Sequence, residues 1–249
     1  MDVNFGNIKC SSHSIQQQLD EILALLKDRS LQPRLILTMN AHIFNMAYSD
    51  EKLRSIMNSA RMVTADGMAI VWASRLFDEK IESRCNATEA FRAFLAEESM
   101  PENRGLLIGC TNVEVEKARK NIHNASGHCA IIEAVDGFRD NESYARLLGK
   151  HQDIDFIFLG MGTPKTEIIG EMASSLCPNA IVWGIGGGTI KIYSDTMKEA
   201  PSLFRRTGFQ WLYRLMLDPK RLWRRYLIGN PLFLLRVMKL YMNRKFSRK

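Results

Sequence analysis

The feature that most constrains this chain is a recurrence of short apolar runs, each followed by a stretch long enough for a helix. RLILTMN from Arg34 and RMVTADG from Arg61 are two such runs, and RGLLIGC, HCAIIEAVDG, DIDFIFLGMG and NAIVWGIGGG come after them. NAHIFNMAYS and DEKLRSIMNSA read as two helical pieces and GMAIVWASRLF as a third, while TNVEVEKARKNI opens on a capping box formed by Thr111 and Glu114. A polar helix from about Ser14 to Leu26 comes first. Strands separated by helix-length segments pair in parallel through right-handed crossovers, which cover both faces of the sheet with helices. The expected fold is therefore α/β, a Rossmann-like three-layer sandwich with a mainly parallel sheet.

Near Pro201 the pattern changes to helices only, broken by Gly208, Pro219 and the turn Gly229-Asn230-Pro231. This divides the chain into an α/β domain over 1–200 and an all-helical basic C-terminal appendage over 201–249. Charge follows the same boundary. From Ser202 onward there are 13 Lys and Arg against one acid, a net of +12 within a chain of net +7, which leaves residues 1–201 at −5. The appendage also holds FQWLYRLMLDPKRLWRRYLIGNP, in which tryptophan and tyrosine are interleaved with arginine. Such a segment suits phosphates, whether of nucleic acid, anionic lipid or a nucleotide-linked substrate. A nucleic-acid-binding protein is the rival of an enzyme here, since arginine and aromatic rings also grip a phosphate backbone and stack on bases. Such a binder has no need of the strand-end acid and glycine loops of the acidic body.

The remaining totals exclude more than they assign. At 46% hydrophobic and 24% charged residues the composition is that of a globular protein. Cys10, Cys85, Cys110, Cys129 and Cys177 are scattered and never in CxxC spacing, which fits a reduced, cytosolic compartment. The five histidines are equally dispersed, and neither a metal nor a cofactor is expected. The N-terminal residues lack the basic region and apolar run of a signal peptide. No stretch approaches the roughly 20 apolar residues that span a bilayer. An apolar helix face serves a core or a subunit contact equally well, so a homo-oligomer stays open.

In a sheet of this kind a ligand sits beyond the carboxyl ends of the strands. Five strand ends carry suitable residues. Thr38 and Asn40 follow LIL, where a helix cap and a functional pair are equally good readings. TADG places Asp66, and VDG places Asp136, before a glycine; local pattern does not choose between the two as a general base. FLGMGTPKTE contains Gly162, Thr163 as N-cap, Pro164 as first helical residue, and Lys165, a start that favours phosphate. WGIGGGT, with Gly186 and Gly187, permits close backbone approach. The DID at Asp153–Asp155 precedes its strand, so it reads as a solvated strand start and not as a metal site.

Taken together, the motifs resemble those of the WecG/TagA/CpsF glycosyltransferases, glycosyltransferase family 26, from about Leu35 to Phe233. The motifs carrying the likeness are T-x-N at Thr38 and Asn40, the DG at Asp66, Arg84 ahead of TE, GxGTPKxE at Gly160–Glu167, GIGG at Gly184–Gly187, and WLYRL…P.RLWRRYL.GNP from Trp211. The resemblance implies transfer of a sugar, with inversion, from a UDP-sugar of the N-acetylmannosamine or glucose type to a polyprenyl-diphosphate-linked saccharide. It also implies work on the inner face of the plasma membrane, as a cytoplasmic, peripheral protein building a surface or cell-wall polymer. Asp66 would be the base, with Thr38 and Arg84 beside it. Asn40, Gly109, Phe138, Gly162, Thr163, Lys165, Thr166, Glu167, Gly186 and Gly187 carry over as substrate contacts. From the appendage, which in the family docks on an anionic membrane, Arg214, Arg221 and Arg224 carry over.

Four places depart from the family pattern. Thr166 stands where members have glutamine, Ile190-Lys191 where they have Phe-Asp, Glu199 where they have arginine, and Ala87 where they have glycine. The expectation is retained catalysis with altered donor or acceptor preference.

Overall fold

The computed structural model describes residues 2–77 and 80–247. It begins with a hairpin that the apolar pattern does not announce: β1 (Asp2–Phe5) and β2 (Ile8–Ser11) pair antiparallel across a two-residue turn whose first position, Gly6, has φ 68°. Next come α1 (Ile15–Lys27), β3 (Leu35–Met39), α2 (Ala41–Ser49), α3 (Glu51–Ser59), β4 (Met62–Ala65), α4 (Met68–Ser74) and α5 (Ala87–Ala96). The second half of the sheet alternates strictly, with β5 (Asn103–Gly109), α6 (Asn112–Ala125), β6 (Cys129–Val135), α7 (Asn141–Lys150), β7 (Phe156–Gly160), α8 (Lys165–Leu176), β8 (Ile181–Gly184) and α9 (Gly187–Tyr193). The remainder is helical: α10 (Ser202–Arg206), α11 (Gln210–Leu217), α12 (Pro219–Trp223), a π-helical stretch at Arg224–Ile228, and α13 (Gly229–Ser247).

The eight strands form one sheet in the order β1-β2-β4-β3-β8-β7-β5-β6, parallel throughout except for the β1–β2 pair. Successive residues of each strand feed opposite layers. Ile36, Leu107, Phe156, Phe158, Ile181 and Trp183 pack against α1, α5 and α6, whereas Leu35, Leu37, Leu106, Ile108, Ile157 and Val182 pack toward α2, α3 and α8. Burial on both faces is why these strands read as unbroken apolar runs. The strand after β3 lies on one side of it, while its other neighbour, β8, is the last strand of the chain. Connections therefore leave in opposite directions at this point, and a crevice opens at the carboxyl ends.

Helix α13 returns to the body and packs on α2. Phe233 and Val237 are almost fully buried, and Phe233 meets Phe44 edge to face at 5.1 Å. Asn45 Nδ2 donates to Gly229 O at 2.7 Å, and the Arg236 guanidinium lies 4.6 Å from the Tyr48 ring. We expect Phe233→Ala to lower the unfolding free energy by about 3 kcal/mol, as large-to-small changes at buried aromatic sites do, measured by urea denaturation. All five cysteines are buried and unpaired.

Candidate active site

The loops beyond β3, β4, β7 and β8, roofed by the C-terminal helices, enclose two adjoining cavities. They share one wall, made of Asn40, His42, Asp66, Asn86, Arg214 and Arg225. On one side the lining is aromatic and apolar, with Met68, Trp72, Trp211 and Tyr226 joined by Arg84 and Gln210. Gly208 belongs to this side as well. Its φ is +80°, and a Cβ there would stand 2.8 Å from Met68, so only glycine brings the appendage this close to α4. The other side is lined by Thr38, Gly162, Thr163, Thr166, Glu167 and the run Gly184–Thr189, and its space is about 1010 Å³ with the open solvent at its mouth included.

Asp66 follows the last residue of β4, and its N–H donates to Met39 O at 2.9 Å, which fixes the carboxylate between the two cavities. Its Oδ1 accepts Asn86 Nδ2 at 2.7 Å and the Ala87 N–H at 3.1 Å. Part of its surface stays open to the cleft, but it sits deep in protein. That burial pushes its pKa up, against the opposing pull of Arg214, the Ala87 N–H, Arg84 and Asn40. Asp136, which the sequence leaves as an equal alternative, lines neither cavity. It is ion-paired to Arg139 at 2.9 Å, and the hydrogen bond from Arg139 draws its pKa down. Of these two carboxylates, Asp66 is the one that lines the cleft.

Beside Asp66, Arg84 is gripped by both oxygens of Glu89 at 2.7 and 2.8 Å. Glu89 and Glu199 both reach Arg205 of α10, at 3.6 and 3.1 Å, and Glu199 also binds Arg92 at 2.9 Å. Glu199 thus ties the appendage to α5. Mixed charges in a shared network hold better than isolated surface pairs.

At the glycine loops the structure corrects one expectation and relocates several residues. The N-cap of α8 is Pro164, not Thr163, and the helix begins at Lys165 instead of Pro164. The Thr163 hydroxyl turns inward and donates to Glu167 Oε1 at 2.8 Å. Glu167 is 3% exposed, its Oε2 has no hydrogen-bond partner among the described residues, and burial pushes its pKa up. Thr166 lines the cavity while its Oγ1 accepts the Met161 N–H at 3.2 Å. Lys165 does not face the cleft: its Nζ donates to Gly137 O and Arg139 O at 3.0 and 2.6 Å and lies over the Tyr144 ring. Gly109 lies outside both cavities, where a Cβ would come within 2.5 Å of Gly160 O, so the need for glycine is the close approach of β5 to β7. Phe138 is 76% exposed and also outside. Gly162 and Gly186, with φ of 86° and 77°, do line the cavity, as does Gly187.

The appendage contributes a different set of arginines from the one carried over. Arg214 enters, its guanidinium passing so close to Gly188 that a Cβ there would be 3.4 Å from Nη2. Arg221 points away, exposed and bonded to Asp218 at 2.6 Å. Arg224 is exposed and lies 5.2 Å from the Trp223 ring. Its neighbour Arg225 faces both cavities instead, and its buried Nε has no partner among the described residues. The π-helical stretch starts at Arg224, and of the two adjacent arginines it is Arg225 that faces the cavities.

Sequence reasoning missed Arg225, His42, Asn86 and the aromatic pair Trp72 and Trp211 as site residues. His42, in the first turn after Asn40, has its pKa lowered by burial and by Arg225. Its signal was its position just beyond a site strand. Among the described residues no three His, Cys, Asp or Glu side chains gather as metal ligands would.

A model of the glycosyl transferase WecG/TagA/CpsF family matches residues 3–247 of this chain. Among individual proteins it is similar to the N-acetylglucosaminyldiphosphoundecaprenol N-acetyl-beta-D-mannosaminyltransferase of Bacillus subtilis, 26% identical over 211 residues that make up 85% of this chain and 81% of that one. The protein of the same name from Staphylococcus aureus is 26% identical over 241 residues, 96% of this chain and 91% of its own.

Proposed function

We propose, for a chain that belongs to the WecG/TagA/CpsF family of glycosyl transferases, transfer of an N-acetylmannosaminyl group from a UDP-linked donor to an N-acetylglucosaminyl-diphospho-lipid, by one inverting displacement. The relatives' names supply the sugar and the acceptor. The observation that carries the reading is the place of Asp66 on the wall between two unlike cavities. The glycine-lined side suits a nucleoside diphosphate: its backbone permits close approach, and Arg214 and Arg225 bring positive charge. The aromatic side suits the acceptor, whose sugar rings can lie on Trp72, Trp211 and Tyr226.

In the reaction, the acceptor hydroxyl gives its proton to Asp66 as its oxygen bonds to the anomeric carbon. The bond from that carbon to the β-phosphate oxygen breaks, and its electron pair leaves with UDP. Arg214 and Arg225 are placed to meet the charge that grows on the departing diphosphate.

The same appendage supports work at the inner face of the plasma membrane. Leu227, Ile228, Leu234, Leu235, Met238 and Met242 are exposed apolar side chains, and Arg221, Arg224 and Lys239 are exposed among them. Basic residues near an anionic surface contribute about 1 kcal/mol each. No helix among the described residues is long and apolar enough to cross a membrane, so this surface would lie on the bilayer.

The test is UDP release from UDP-N-acetylmannosamine and, in parallel, UDP-glucose, with a detergent-dispersed N-acetylglucosaminyl-diphospho-lipid. Acceptor-dependent release from the first donor is expected. Absence of release from both, together with no effect of UDP on the melting temperature, would overturn the reading.

A further inference from the structure

Asp66 is held by more than its own loop. Asn86, which donates Nδ2 to Asp66 Oδ1, is also the N-cap of α5: its Oδ1 accepts the Thr88 and Glu89 N–H groups at 3.1 and 3.2 Å. That engagement settles the orientation of the amide, because with the oxygen committed to the helix only the NH₂ can face the carboxylate. Asn40 repeats the arrangement on α2. Its Oδ1 accepts the His42 and Ile43 N–H groups at 3.1 Å each, and its side chain lies on the same cavity wall as Asp66. Two helix starts therefore bring their capping asparagines to the wall that holds Asp66, and Asn86 bonds to it directly.

The two capping asparagines are not equivalent in reach. Asn86 is 5% exposed, so its bond to Asp66 is largely shielded from water. With the Ala87 N–H it fills both lone pairs of Oδ1, so a proton arriving at Asp66 goes to Oδ2. Donors aimed at the ionised form favour that form, which offsets the cost of burying it.

We infer that Asn86 is a positioning residue for the transfer, keeping Asp66 ionised and presenting Oδ2 to the acceptor hydroxyl. The inference rests on the reading of Asp66 as the base. Other charged or titratable groups share the cleft with Asp66 or act on it: Arg84 and Cys85 ahead of α5, Arg214 on α11, Arg225 in the π-helical stretch, His42 on α2 and Glu167 on α8. Glu89 is turned onto Arg84. None of them is itself replaced when residue 86 is substituted.

Two substitutions separate capping from positioning. Asn86→Ser keeps a good N-cap side chain and removes the amide donor. Asn86→Asp keeps the cap and the shape but puts a second carboxyl where the donor was, against the Asp66 oxygen now 2.7 Å from Nδ2. The measurement is kcat against pH for the transfer from UDP-N-acetylmannosamine, with Asp66→Asn run alongside. The expected result is an acid limb displaced upward by about one pH unit in Asn86→Ser and further in Asn86→Asp, with the donor KM unchanged and the melting temperature of Asn86→Ser close to wild type. Profiles superimposing on wild type for both variants, with Asp66→Asn inactive, would reduce Asn86 to a helix cap and overturn the inference alone. Full activity in Asp66→Asn would instead remove the base reading on which it stands.

Discussion

Asp66→Asn should abolish acceptor-dependent transfer and at the same time raise the melting temperature, because one cause underlies both. A positioned base contributes about 10²- to 10⁴-fold to a proton-transfer step, so kcat should fall by about 10³-fold. The stability effect follows from burial. Burial raises the pKa of Asp66 in the folded chain above its ordinary value of 3.8, so the native state holds this proton to higher pH than the unfolded chain does. Stability is therefore greatest below the unfolded pKa, declines as pH rises from there through the folded pKa, and stays at the lower level above it. Once the pH is above the folded pKa, the wild type bears the whole of this penalty and the asparagine variant none. In a chain of this size each kcal/mol relieved is worth about 3 °C. Melting curves at pH 7.5 and pH 4 check the sign: the variant's advantage should be present at the first and shrink at the second. A variant that melts lower at both would show that the bonds from Asn86 and Ala87 outweigh the burial.

Arg225→Ala should cost about 10²- to 10³-fold in kcat/KM, whereas Arg224→Ala should leave detergent-assayed transfer within about 3-fold of wild type. The two residues are adjacent and chemically identical, so composition and local charge are controlled. They differ in where the π-helical stretch aims them, Arg225 to the shared wall of the cavities and Arg224 to the Trp223 ring outside. A guanidinium that meets growing charge on a diphosphate matters most in the transition state, whereas one at the surface matters through the bilayer. Arg224→Ala should accordingly weaken sedimentation with anionic vesicles and do little else. Reversed results would mean that an unbroken α-helical register, with Arg224 inward, holds while the substrate is bound.

The contrast between those two arginines shows where sequence reading stops. The sandwich was legible because parallel strands buried on both faces must be apolar throughout, and LIL, FIFL and IVWG can hardly be otherwise. Asp66 and the glycine runs were legible as strand-end chemistry, although the choice between Asp66 and Asp136 needed the cleft itself. The β1–β2 hairpin was not legible, since four-residue strands give too short a pattern and only Gly6 marks the turn. Lys165 misled for a general reason: a lysine at a helix start beside glycines is equally able to hold phosphate or, as here, two backbone carbonyls. Asn86 was invisible because a capping asparagine looks the same whether its second group meets solvent or a buried carboxylate.

The buried state of all five thiols has a practical consequence for measuring these events. Cys110 is the most accessible of them at 8%, burial raises its pKa to about 11, and those of Cys85 and Cys129 to about 12. Thiolate, the form that reacts, is therefore scarce at neutral pH in the folded protein. A single cysteine introduced at the exposed Met242 would be the one reactive handle without removing any native thiol. A maleimide dye attached there would turn the approach of α13 to a bilayer into a fluorescence signal, read on the same wild-type background as catalysis.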